Sequence, residues 1–132
     1  MKTIKILIPV AIVALALYAF DKPVQDEWVV PEKYVNMKNP TDPSVDLNIG
    51  KALYKKHCQS CHGSEGYGDG SKAANLSGDL GDFSSEEFHA QTDGEIFYKS
   101  YIGRGDMHNF EKKLPDEEDV WLIVNYMRTL KE

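Results

Sequence analysis

Three stretches of the chain place apolar residues at helical spacing, and nowhere do apolar and polar residues alternate long enough to make a useful strand. The first runs over about Asp46 to Cys58 and sets Ile49, Leu53 and Tyr54 on one face. The second opens at the capping box Thr92-x-x-Glu95 and carries Ile96, Phe97 and Tyr101. The third puts Val120, Ile123, Val124 and Met127 on one stripe. Asp116, Glu117, Glu118 and Asp119 precede that stripe, where negative charge favours the start of a helix. A further box, Ser84-x-x-Glu87, predicts one short helix more. The pattern predicts an all-α domain with long loops.

Ahead of these elements the pattern changes. From Ile6 to Phe20 there is no charge, and Lys2 and Lys5 stand just before the run. A positive start followed by an apolar run is the layout of an export signal. The run is long for a cleaved signal and short for a spanning helix, which needs roughly 20 residues. Ala14 and Ala16 form an A-x-A cleavage pattern, whereas Ile4, Tyr18 and Phe20 suit the interfacial ends of a membrane anchor over residues 4–20. Residues 1–20 therefore read as a signal peptide or a retained anchor, and the chain as periplasmic or on the extracytoplasmic face of a membrane. Residues 21–44 hold Pro23, Pro31, Pro40 and Pro43 and read as a polar linker. Trp28, Val29, Val30 and Tyr34 are too apolar for linker alone and predict partial packing. One domain remains, residues 45–132.

Charge narrows the range of partners. Removing residues 1–19 leaves 13 basic against 21 acidic side chains, a charge of −8. That balance argues against nucleic acid, whose binding needs a basic face. It favours partners that present a positive docking patch.

The chemistry concentrates at Cys58-Gln59-Ser60-Cys61-His62, which holds both cysteines of the chain. A disulfide closing two residues restrains almost nothing. A thioredoxin-like pair would open a helix within a βαβ unit, and this pair ends a helical stretch. A structural zinc site needs four ligands, and there is no second cysteine pair. The remaining reading is C-x-x-C-H attachment of a c-type haem. Each thiol adds to one vinyl group, and the adjacent histidine lies under the iron.

A haem held by one histidine leaves a sixth position. Met127 falls on the apolar stripe and reads as core, and Met37 lies in the proline-bearing linker. His57 directly precedes Cys58 and cannot reach the opposite face, and His89 reads as a solvated side chain on a short acidic helix. Met107 lies in Gly103-Arg104-Gly105-Asp106-Met107-His108, whose glycines let backbone approach a flat ligand. A thioether is a soft partner for low-spin iron and raises its potential. Met107 is the favoured ligand, with His108 its rival.

On these residues the chain resembles class I mono-haem cytochromes c over about residues 45–131. The resemblance implies an all-α, cytochrome c-like fold of about four short helices and long loops around one covalently bound haem c. It implies attachment through Cys58 and Cys61 with His62 and Met107 on the iron. It also implies a close crossing of Gly50 and Tyr54 against Tyr126 of the last helix. The family's methionine loop commonly reads G-x-G-x-M-P-x-F, and here His108 replaces the proline. The implied function is one-electron transfer without catalysis, in an exported respiratory chain. Its partners would be a quinol-oxidising complex, a terminal oxidase or a reductase, and the carrier itself a monomer. Two alternatives stand beside it. A labile methionine would make a ligand-binding or peroxidatic haem protein, and a retained anchor would suit a haem subunit of a larger membrane redox complex.

Overall fold

The computed structural model describes residues 27–131, so the segment read as signal or anchor lies outside the described residues. Six α-helices follow one another: α1 (Glu32–Val35), α2 (Leu47–His57), α3 (Gln59–His62), α4 (Glu86–Ala90), α5 (Asp93–Ile102) and α6 (Glu117–Met127). A 3-10 turn at Ala73–Asn75 interrupts the long loop after α3. The protein is all-α, with no strand among the described residues and one isolated bridge, between Arg104 and Met107. Among the same residues no helix is long and apolar enough to cross a membrane.

The crossing of α2 and α6 organises the core. A Cβ on Gly50 would overlap the Leu122 carbonyl, so only glycine lets the two backbones come this close. One turn further on, the Tyr54 and Tyr126 rings lie 5.1 Å apart. Helix α6 is buried on every side from Val120 to Asn125, which makes it the central element. It starts because Asp116 Oδ1 accepts the Glu118 amide, with acids filling its first turn. Helix α5 packs beside it and stacks Phe97 on Trp121, with ring centres 4.2 Å apart. The expected capping box opens α5 with both bonds made, Glu95 N–H to Thr92 Oγ1 and Thr92 N–H to Glu95 Oε2.

Three expectations shift. The short helix before α5 is capped by Ser85 rather than Ser84, because Ser84 is engaged in a turn with the Asp82 carboxylate. Ile49 is 46% exposed and takes no part in the core face of α2. The four expected helices are joined by two one-turn helices, α1 before the domain and α3 within the Cys-His motif.

The described part of the stretch read as linker packs as a strap. Tyr34 lies 4.6 Å from the Tyr98 ring, and the Val35 carbonyl accepts from Thr92 Oγ1. Asn39 and Thr41 both bond to Asn125, a polar side chain only 4% exposed on α6. A buried amide costs stability unless it is paired, so this network locks the strap to α6.

The candidate haem-binding site

Helix α2 delivers the motif. Cys58 ends it and begins α3, and its carbonyl receives the amides of both Cys61 (3.1 Å) and His62 (3.0 Å). The chain then reverses at Gly63, whose φ of 83° suits glycine. The Tyr54 hydroxyl donates to the Gly63 carbonyl at 2.8 Å and ties the turn to α2. The glycine-rich loop that follows folds back on α3, with Gly68 N–H bonded to His62 O and Gly70 N–H to Cys61 O. The motif is thus held on three sides by backbone bonds.

His62 is 8% exposed, and its Nδ1 lies 3.1 Å from the Leu80 carbonyl. A carbonyl can only accept, so Nδ1 carries the proton and Nε2 keeps its lone pair. Burial lowers the His62 pKa, partly offset by the Leu80 bond, so the ring is neutral near pH 7. Nε2 is the ligating atom such a ring offers, with its orientation set by the bond on the other nitrogen.

Cys58, His62 and Met107 line one cavity, about 350 Å³ of atom-free space that opens partly to solvent. Phe110, Leu114, Val120, Ile123 and Met127 supply most of the rest of the wall, with Phe83 stacked on the His62 ring at 4.6 Å. Cys61 is not part of that wall. It sits on α3 beside His62, half-buried like Cys58, and no disulfide joins the two. Burial pushes the Cys58 thiol up to about 12, with the Cys61 sulfur adding to the rise. In the closed fold Cys58 is therefore a neutral thiol and a weak nucleophile.

Met107 arrives on a tight turn. Its amide donates to the Arg104 carbonyl at 2.9 Å, and Gly103 and Gly105 take φ values of 71° and 57°. A side chain on Gly103 would overlap the carbonyls of Met107 and His108. Ser77 holds the turn from across the site, donating through N and Oγ to Asp106 Oδ2 at 2.9 and 2.7 Å. His108 is exposed and lies outside the cavity wall.

The rival donors fall elsewhere. His57 meets the Phe110 ring edge-on at 6.0 Å. Met37 packs against the core beside Gly94. Met127 is core, as its stripe predicts, and also walls the cavity. His89 departs from the solvated side chain expected of it: its ring is edge-on to Phe88 and its Nε2 is buried without a partner. Sequence reasoning missed Leu80, Phe83 and Leu114. The first acts through its backbone, and all three lie in irregular segments where no periodicity marks them.

Lys113 Nζ stands 5.6 Å from the centre of the Phe110 ring. The His57 pKa is lowered by burial first and then by the charges of Lys56 and Lys113, with Asp119 opposing.

Among the described residues no three His, Cys, Asp or Glu side chains gather as a bare metal ion would need. An imidazole and a thioether on one apolar cavity, with two thiols beside it, instead fit an iron that brings its own in-plane nitrogens. The donor set fits a haem.

The chain matches the family model described as cytochrome C oxidase, cbb3-type, subunit III over residues 45–127. It is similar to a chain of the Kuenenia stuttgartiensis reducing HAO-like protein complex Kustc0457/Kustc0458, at 29% identity and a TM-score of 0.60. That likeness covers 74% of this chain and 49% of the other, so this chain spans about half the length of that relative. It is also similar to the KustC0563 c-type cytochrome, at 27% identity and a TM-score of 0.53. There 63% of this chain and 98% of the other are covered. Among curated proteins none matches.

Proposed function

The chain belongs to the family described as cytochrome C oxidase, cbb3-type, subunit III, and from that premise we propose that it carries electrons one at a time through a single haem c. A cytochrome c domain binds a c-type haem and serves haem-based electron transfer. In the proposal Cys58 and Cys61 would hold the haem covalently, and His62 Nε2 and Met107 Sδ would ligate its iron. The domain runs over residues 45–132, with residues 1–20 its export signal or anchor and the periplasm its compartment.

When bound, the iron supplies reversible one-electron exchange. The residues around it keep that exchange cheap in rearrangement. His62 is held by the Leu80 carbonyl and the Met107 turn by Ser77 through Asp106, which would keep both ligands in place between oxidation states. Phe110, Leu114, Val120 and Ile123 make the cavity wall apolar, and with the thioether this would favour the reduced form. Besides Cys58, His62 and Met107, the polar side chain on the cavity wall is Ser100.

The observation that carries this reading is the fixed tautomer of His62 on the same apolar cavity as Met107. The partner would meet the rim of that cavity. Lys113 stands beside the Phe110 wall of that cavity, and an acidic group on the partner would complement it there. A second reading, a fixed subunit of a larger redox assembly, is favoured by the likeness to a chain of a protein complex about twice as long. Potentiometric titration tests the proposal. One haem per chain and a single one-electron wave are expected. Two waves, or no covalent haem after export, would contradict it.

A further inference from the structure

The turn that presents Met107 has little internal restraint. Gly103 and Gly105 both adopt positive φ, and His108 follows where a proline would fix the backbone. The Met107 N–H bonds to the Arg104 carbonyl, which places Arg104 and Met107 at the two ends of the turn, and the Phe110 N–H bonds to the Tyr101 carbonyl across its base. Side-chain holds from outside add to these bonds in keeping the thioether on the cavity. Ser77 supplies one of them through Asp106.

The other comes from the strap. The Arg104 guanidinium lies 4.6 Å from the centre of the Trp28 ring, within reach of a cation–π contact. The chain that carries Trp28 is anchored further along. Six residues later Tyr34 packs on Tyr98 and Phe97, and Val35 bonds to Thr92 at the start of α5. Asn39 then joins Asn125 in the middle of α6. We infer that Trp28 is a positioning residue for the sixth ligand: the strap holds Arg104, Arg104 holds the turn, and the turn keeps Met107 on the cavity. Trp28 precedes the residues matched by the family, so this hold belongs to the chain's own N-terminal extension. The inference rests on Met107 being the ligand proposed above.

The test uses the full chain, haem-loaded in a bacterial periplasm and oxidised, and titrated with imidazole. Imidazole competes with Met107 for the iron, so its apparent affinity rises with the fraction of molecules whose turn is open. Trp28→Ala is expected to tighten apparent imidazole binding about two- to five-fold, the range a partly exposed cation–π contact supports. Trp28→Phe keeps an aromatic face and is expected to restore the wild-type value. Arg104→Met alone is expected to act like Trp28→Ala, and adding Trp28→Ala to it to change nothing more. A lower melting temperature with unmoved imidazole affinity would overturn the inference, as would equal effects of Trp28→Ala with and without Arg104. A wild-type protein that binds imidazole as tightly as Met107→Ala and lacks the sulfur-to-iron band would overturn the ligand reading itself. A wild-type protein with the band and an inert Trp28→Ala would overturn this inference alone.

Discussion

Tyr54→Phe removes one oxygen and leaves the packing intact. The ring is 1% exposed, lies 5.1 Å from Tyr126, and sends its hydroxyl 2.8 Å to the Gly63 carbonyl directly after His62. Phenylalanine keeps the ring volume, so no cavity forms and the loss is the hydrogen bond. A neutral buried bond contributes about 0.5–1.5 kcal/mol, and the Gly63 carbonyl left without its donor raises the cost to about 1–2 kcal/mol. For a domain of this size that lowers the melting temperature by about 4–16 °C. The same variant changes the alkaline behaviour. Burial raises the Tyr54 pKa well above 10, helped by Cys58, Tyr126, Glu65 and Asp69. A phenol whose pKa is higher folded than unfolded binds its proton more tightly in the fold. Its contribution is complete below about pH 10 and is lost as pH rises beyond that. Guanidinium unfolding of the haem-loaded protein at pH 7 and across pH 9–12 measures both effects. A midpoint for Tyr54→Phe equal to wild type at pH 7, with an equal slope above pH 10, would refute the reasoning.

Other changes act on separate links of the argument. Gly50→Val drives a branched side chain into the Leu122 carbonyl and is expected to cost about 1–3 kcal/mol, read as a lower melting temperature and a lower yield of attached haem. Lys113→Glu reverses a charge beside the Phe110 wall of the cavity. It is expected to slow oxidation by ferricyanide roughly five-fold at low ionic strength, an effect that fades in high salt. Met107→Ala is expected to lower the reduction potential and to let the reduced protein bind carbon monoxide. An unchanged potential in that variant would count against the thioether as a ligand.

How much could be read in advance follows from where each feature is encoded. The helices α2, α5 and α6 announce themselves because their apolar faces repeat over three turns, whereas the crossing at Gly50 and Tyr126 was legible only through the resemblance to class I cytochromes c. The Cys-His run is legible because five contiguous residues carry it. Leu80 is not, since a carbonyl on the Nδ1 of His62 leaves no trace in residue type. Phe83 reaches the site from an irregular loop, and Ser77 meets Asp106 across 29 positions. The cap at Ser85 differs from Ser84 by one residue because the Asp82 carboxylate competes for the earlier serine. The strap showed only as an excess of aromatics, and its hold on Arg104 needed coordinates.

The central claim is a haem c held between His62 and Met107. Its most direct test is the absorption spectrum of the haem-loaded chain, taken oxidised, reduced, and reduced with carbon monoxide. The account predicts a low-spin spectrum with a sulfur-to-ferric-iron band, absent in Met107→Ala, and no change on adding carbon monoxide. A spectrum without that band, or one that shifts readily with carbon monoxide, would contradict it.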